Sequence, residues 1–487
     1  MKIHTEEIVM LTKITSSAIS LGLLATVLVS CGNDSLTDET SDITSVDTTT
    51  VDTDRLDSLG EKDFDGAVFT ILDSNEHPDM YINIPDEERS GEIINDALFE
   101  RDIAISERYN LQIEYVQRTN ASSGLSVMKA AVMAGDNDCD LIISSILGGA
   151  LQTIATEGIL YNLNELPYLR LGEAWWSRLM YENLQLDDHM YFTTGDLAPS
   201  MYQIPACSYI NRDMLSEYQL DVDVYELVKQ GEWTFDTVMT LTRDIAVDVD
   251  GNGSMSVDND IFGVIHQNGD IQLNAILCGA GLSAVRLDNG KLELSILDEH
   301  NIDIVEKLKQ FCVKAQYVEQ NDIINRAFEE NRALVAFHFL ESATVHLRDM
   351  EGDYSILPMP KYDESQDGYR SLCNAWTGAY ISVPTNCDPE FSGFVTEALG
   401  IYSYEHIRPL NYDLVYKQKG ARDEQSAEML DIIFDFLYLD FNVIYNFGSL
   451  YTDLRTIVMD GAPFASTVES HLDAAQQAID DFSELWG

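Results

Sequence analysis

Positive charge is what this sequence has least of. Only 29 Lys and Arg stand against 83 Asp and Glu over 487 residues, a formal net charge of -54. Such a chain repels phosphate backbones and anionic headgroups, which excludes nucleic acid as a partner and excludes electrostatic adsorption to a membrane. Catalytic signatures are equally sparse: there is no HExxH, no GxSxG and no Walker loop. "GAGLSA" (279–284) has the spacing of a dinucleotide fingerprint, but "VRLDNGKLEL" behind it reads as a hairpin around Asp-Asn-Gly where that motif needs a helix. Beyond Cys31, six cysteines (Cys139, Cys207, Cys278, Cys312, Cys373 and Cys387) lie too far apart for zinc or C-x-x-C motifs. They read as mostly buried and reduced, with disulfides permitted by export and no pairing specified. Among so many acids a pair of carboxylates says nothing about glycoside hydrolysis.

What is present points outward from the cell. Self-repulsion of this size is tolerable where salt or divalent cations screen it, as around an exported protein. The length suggests two or three domains, and 45% hydrophobic residues are ample for their cores. Lys13 precedes an uncharged stretch from Ile14 to Ser30 with the length and small-residue ending of a secretory signal. Glu6 and Glu7 are out of place in a basic leader, so Met10 is a candidate start. Leu28-Val29-Ser30-Cys31 resembles the bacterial lipobox, whose cysteine thiol takes a diacylglyceryl group and becomes the new N-terminus. That resemblance implies a lipid-anchored protein on the outer face of the cell membrane, held by two or more acyl chains, palmitate among them. The alternative is an ordinary signal peptide with Cys31 near its cut. Residues 31–65 carry little apolar content and much Ser, Thr and Asp, the composition of a disordered tether. A coil of about thirty residues spans ~30 Å and reaches ~100 Å when stretched.

From Gly66 the pattern turns globular. "AVFTILD" (67–73), "LQIEYVQ" (111–117) and "CDLIISS" (139–145) read as buried strands. Between and after them, 92–110, "GLSVMKAAVMAGD" and "ALQTIATEG" read as helices. Strand and helix alternating at this spacing make βαβ units and a mostly parallel sheet, an α/β fold. Ligands in such sheets sit beyond the carboxyl ends of the strands. That places Asp73, Ser74, Asn75 and Glu76 after the first strand, and Ser144 and Ser145 after the third, at one rim. Helix capping or a solvated loop would account for any one of them equally well.

Four segments together resemble the extracellular solute-binding proteins of ABC importers: "AGDNDCDLIISS...EGILYNLNELPYL", "ACSYINRDML" (206–215) with "GEWTFDTVMTLTRDIA" (231–246), "RALVAFHFLESATVHLRDMEGDYSILPMPKYDE" (332–364), and "NAWTGAYISVPTNCDPEFSGFVTEAL" (374–399). They follow in order over nearly the whole chain beyond residue 66 and are most similar to the carbohydrate-binding branch, as in lipoproteins of Gram-positive bacteria. The resemblance implies a two-lobed type II periplasmic-binding-protein fold, its lobes joined by two or three crossing segments. Laid on this chain, lobe one is 66–207 with 338–384, and lobe two is 208–337 with 385–487. It implies a monomer that closes on a saccharide and is sensed by the transmembrane subunits of an ABC permease.

Sugars need flat apolar faces for their C–H surfaces and a few fixed polar groups for their hydroxyls. Trp175, Trp176, Tyr202 and Trp376 lie between the strongest periodic runs and are the aromatic candidates, although core packing is the ordinary fate of a tryptophan. The resemblance places Trp376 at the cleft. Trp233 precedes a helix with Thr234 as its cap and reads as structural. Asp196 and Glu341 are candidate hydroxyl acceptors. In "DVDGNGSMSVDND" (248–260), Asp248, Asp250, Asn252 and Ser254 are spaced as the oxygen ligands of an EF-hand-type calcium loop. Gly253 supplies the turn and Met255 the apolar anchor. The twelfth position is Asn259, with Asp260 one residue late, so a structural calcium and a plain acidic turn both fit. No catalytic cofactor is expected. The leading expectation is a non-enzymatic sugar receptor. Its rivals are an exported glycan-degrading hydrolase and the same fold carrying a peptide or another polar solute.

Overall fold

The computed structural model describes residues 55–75, 82–86, 88–118, 121–136, 138–146, 150–186, 188–267, 269–314, 324–412 and 423–486. The lipobox, Cys31 and most of the expected tether lie outside the described residues. The tether's last part does not. Arg55–Leu59 forms a 3-10 turn with Leu56 buried, Arg55 paired to Glu405 at 2.8 Å and Asp57 to Arg108 at 2.6 Å. The expected boundary at residue 65 therefore moves to about residue 54, because Leu56 finds an apolar seat that composition could not foresee.

Lobe one alternates as its sequence periods predict: β1 (Ala67–Ser74), α1 (Ile93–Tyr109), β2 (Leu111–Gln117), α2 (Ala121–Ala134), β3 (Leu141–Ser144), α3 (Ala150–Thr156) and α4 (Arg178–Asn183). β1 pairs in parallel with β2 and with β3, and from Ile71 to Ser74 it is wholly buried, as a central parallel strand covered on both faces should be. α1 ends where Asn110 takes the left-handed conformation at φ 49°, releasing the chain directly into β2.

Lobe two begins with β4 (Ala206–Asn211) and continues through α5 (Arg212–Glu217), α6 (Val224–Gln230), α7 (Phe235–Thr242), β5 (Phe262–His266) and α8 (Asp270–Gly279). The hairpin β6 (Val285–Asp288) and β7 (Lys291–Leu294) turns on Asn289 and Gly290, both at positive φ, as the Asp-Asn-Gly signal predicts. Next come α9 (Glu299–Lys314), β8 (Ala333–Phe339), α10 (Ser342–Val345) and β9 (Tyr354–Pro358), and the second sheet has the order β5-β8-β4-β9. Trp233 is fully buried, its indole N–H donating to Pro358 O at 3.0 Å, while Thr234 caps α7 by accepting from Thr237 N.

The chain then passes through β10 (Ser371–Leu372) to β11 (Tyr380–Ser382), which joins the first sheet antiparallel to β3 in the order β11-β3-β1-β2. α11 (Pro389–Tyr402) follows. The remainder is α12 (Glu424–Asp435), β12 (Leu437–Tyr438) paired with β10, α13 (Phe441–Tyr445), α14 (Leu450–Met459), α15 (Phe464–Glu469) and α16 (Leu472–Trp486).

These pairings correct the expected lobe boundaries in two places. β9 hydrogen-bonds to β4 in the register Tyr209↔Ile356, so residues up to Pro358 lie in lobe two and not in lobe one. α11, expected in lobe two, packs on α1 of lobe one, with Phe394 edge-on to Tyr109 at 4.9 Å and buried Glu397 paired to Arg170 at 2.8 Å. A strand belongs to the sheet that satisfies its N–H and C=O groups, which a linear match cannot report.

Three crossings link the lobes, at roughly 197–205, at 373–379 and from 403 onward. The first two are pinned together, Pro205 bridging Cys373 and Asn374 N donating to Ile204 O at 2.9 Å. Buried Arg101 ties the first to the third by donating to Leu197 O at 3.1 Å and Ser403 Oγ at 3.4 Å. Away from the crossings, α16 packs against α3 and β12 against α4, so the lobes also meet face to face, and from Thr53 on the chain is one compact unit. All six described cysteines are buried free thiols.

Candidate ligand-binding cleft

Strand register assembles one polar rim. Ser74 lies beside Ser144 in parallel register, and Tyr380 faces Ser144 from the antiparallel side. Residues after β1, after β3 and before β11 therefore crowd the same edge of the first sheet. Ile146 N donates to Ala375 O at 3.1 Å and stitches the second and third of these together. Asp73, Ser144 and Ser145 meet at this edge by strand register, and Trp376 follows Ala375, which Ile146 holds there. Glu76 lies outside the described residues.

The rim is polar yet dry. Asp73, Asn75, Ser144 and Ser145 are each at most 2% exposed. Ser144 Oγ donates to Ser145 O at 3.1 Å, and one Asp73 oxygen accepts from Gln117 Nε2 at 3.4 Å. The other Asp73 oxygen, both side-chain heteroatoms of Asn75 and Thr377 Oγ1 have no hydrogen-bond partner among the described residues. Burial pushes the Asp73 carboxyl up to about 6 against the opposing bonds from Gln117 and Asn75. A buried polar atom left unpaired costs ~1–3 kcal/mol, and four such atoms gather at this edge. The backbone leaves no slack around Ser74: a Cβ on Gly124 at the start of α2 would come within 2.0 Å of Ser74 Oγ. Trp376 is different. At 41% exposed it is one of the few large apolar side chains that the fold leaves open.

Four other sequence candidates take structural posts. Trp175 and Trp176 are 4% and 3% exposed within lobe one's core. Trp176 donates its indole N–H to buried Glu397 at 2.9 Å, while Arg170 covers the Trp175 ring at 5.1 Å. Tyr202 packs on Phe434 and Tyr412 at 5.4 and 6.0 Å and donates its hydroxyl to Asp196 Oδ1 in a very short bond. Asp196, with Arg408 at 3.8 Å, thus fastens the first and third crossings to each other. Burial still carries its carboxyl up to about 7 despite the Tyr202 bond and the Arg408 charge. As ligand contacts these four are corrected: all are buried in packing that the linear sequence does not display, with only the Trp175 indole N–H left without a partner among the described residues. Thr377 and Gln203, whose Oε1 is buried without a described partner beside the hinge, were missed. Adjacency to Trp376 and Tyr202 was the only signal for them.

On the lobe-two side Glu341 follows β8, 5% exposed, its N–H donating to Gln203 O at 3.0 Å. Nearby, His338 Nδ1 lies 2.6 Å from Ser342 Oγ and 3.6 Å from Glu341 Oε1. A nucleophilic relay needs the acid and the hydroxyl on opposite ring nitrogens, and here both meet Nδ1. Burial, with His346 adding to it, lowers this histidine to about 3, so the ring is neutral.

With the rim, the two sheets and the three crossings in place, comparison with known proteins decides the fold. It is that of the type II periplasmic-binding proteins. A cyclic α-maltosyl-1,6-maltose binding protein from Arthrobacter globiformis matches at TM-score 0.58 and 13% identity, over 86% of this chain and 99% of that one. UspC of M. tuberculosis matches at 0.55 and 13%, over 84% and 100%. An ABC substrate-binding protein from Listeria monocytogenes in complex with cycloalternan matches at 0.51 and 10%, over 86% and 99%. No family model and no curated protein matches the sequence. The dry rim lies at the carboxyl ends of β1 and β3 in the first sheet.

The acidic loop is a separate feature. Asp248, Asp250 and Asp260 bring carboxylate oxygens within 4.8 Å of one another. Asp260, one residue late in the motif, is fully buried and accepts from Val249 N and Ser256 N at 2.8 and 2.7 Å. Asn259 instead turns its amide to Asp250 at 2.8 Å, and Asn252 Oδ1 accepts from Ser254 N at 2.8 Å. An all-oxygen set of this kind fits a hard cation, while the N–H bonds also account for a self-capped acidic turn.

Proposed function

We propose that this protein is a lipid-anchored extracellular receptor that encloses a sugar or oligosaccharide between its lobes and delivers it unaltered to an ABC permease. It acts as a monomer on the outer face of the cell membrane, moored through Cys31. The observation that carries the reading is the dry lobe-one rim: unpartnered Asp73, Asn75 and Thr377 groups beside the open ring of Trp376. Polar atoms that must be satisfied next to an apolar plate suit a polyhydroxylated ring better than an ion or a greasy guest. Two of the structures described above carry saccharide names, which supports the same cargo. A structural calcium in the 248–260 loop is the second part of the reading. It would hold the loop to β5 and take no part in transport.

A thermal-shift screen against mono- and oligosaccharides, with oligopeptides in the same panel, tests the cargo. A saccharide should raise the melting temperature and be recovered intact after denaturation. Fragments would identify a hydrolase, and a response to peptides alone would overturn the sugar assignment.

A further inference from the structure

A second cavity, of about 350 Å³, lies in lobe two between the β6–β7 hairpin, the start of α9 and the β10–β12 ribbon. The volume is at the lower end of the ~300–1,000 Å³ range of small-molecule sites. Its peculiarity is Arg370. The guanidinium lies over the Tyr438 ring at 4.7 Å and donates one N–H to Gly281 O at 3.0 Å, so its position is fixed by a ring and a carbonyl. Neither partner neutralises it. Among the described residues Arg370 forms no ion pair, in a chain where acids outnumber bases 83 to 29. The nearby acid does not need it: buried Asp440 already accepts from Asn442 N, Val443 N, Tyr438 Oη and Ser283 Oγ at 2.9 to 3.2 Å. Arg286, also lining the cavity, is engaged by Asp298 at 2.6 Å and Glu293 at 3.4 Å. Val285, Leu287, Leu439 and Phe441 supply apolar lining.

We propose that this cavity binds a monosaccharide-sized carboxylate, a sugar acid, whose carboxylate meets the free edge of Arg370. A planar guanidinium held over a ring presents paired N–H groups that match a carboxylate in bidentate geometry. The apolar lining accepts the C–H face, and Ser283 and Tyr438 lie within reach of hydroxyls. A dianionic phosphate fits less well, because among the described residues Arg370 is the one arginine in the cavity not already paired and it matches a single negative charge. The site is distinct from the cleft rim, and the ribbon that carries it runs on into the second crossing.

Titration calorimetry of the full-length soluble protein with galacturonate and glucuronate, against glucose and glucose 6-phosphate, tests this. A uronate should bind, glucose should bind at least tenfold more weakly, and Arg370→Gln should weaken the uronate at least tenfold. Arg370→Lys, which keeps the charge and loses the bidentate edge, should fall in between. If Arg370→Gln fails to fold, ligand-observed NMR on the wild-type protein decides: uronate binding must persist when the cleft is saturated with a neutral oligosaccharide. Absence of uronate binding, preference for the phosphate, unchanged affinity in Arg370→Gln, or competition with the cleft ligand would each overturn the proposal.

Discussion

Trp376 owes its exposure to its neighbours more than to itself. Asn374 Oδ1 accepts the Trp376 N–H at 3.0 Å and Gly378 N closes on Asn374 O at 2.9 Å, so a tight turn holds the half-exposed ring in place. Trp376→Ala should weaken saccharide binding by roughly 1 to 3 kcal/mol, read by calorimetry, and unchanged affinity would remove the ring from the site. Asp196 makes the opposite case, a polar residue whose work is internal. Its folded pKa of about 7 stands above the ~3.9 of an unfolded aspartate, so the native state holds the extra proton between those values. The stability this contributes is present at low pH and lost as pH rises through about 7. Asp196→Asn should flatten that decline, by about one proton's worth of slope in urea-melt stability between pH 4 and 7. An unaltered slope would remove Asp196 as its source.

Among the elements, the short 3-10 turn at Arg55–Leu59 is easily mistaken for tether. It buries Leu56, pairs Arg55 with Glu405, and accepts from Arg170 Nη2 through Ser58 Oγ at 3.1 Å. A protein beginning at Asp63 should be less stable than one beginning at Thr53 by about 1–3 kcal/mol, the worth of one buried leucine, since its exposed ion pairs add little. Equal denaturant midpoints would return the turn to the tether. The 248–260 loop is the second element with a decisive measurement. With calcium bound, chelator should lower the melting temperature, and Asp260→Asn should abolish that difference. Identical melts with and without chelator would leave an acidic turn.

The lobes touch away from their crossings, α16 resting on α3 and β12 on α4, and buried Arg101 and Asp196 tie crossing to crossing. A guest that touches both lobes favours the closed form by the difference in its affinity for the two states and by nothing else. X-ray scattering should therefore show a smaller radius of gyration with saturating saccharide than without. Identical curves would mean that the α3–α16 contact holds the lobes together unaided, and delivery to a permease would then need another trigger.

The residues themselves determined the alternation of strand and helix in lobe one, the Asn289–Gly290 hairpin, the Thr234 cap and the excess of negative charge, because each depends on neighbours a few positions away. The strand rule also suffices to bring Asp73 and Ser144 to one edge. Tertiary structure alone decided that Trp176 belongs to Glu397, that Tyr202 belongs to Asp196, that α11 covers lobe one and that β9 belongs to lobe two. Most of those outcomes turn on partners more than a hundred residues away, and aromatic content looks the same in sequence whether a ring is packed or open. Only burial separates Trp376 from Trp175 and Trp176, and burial is a property of the folded surface.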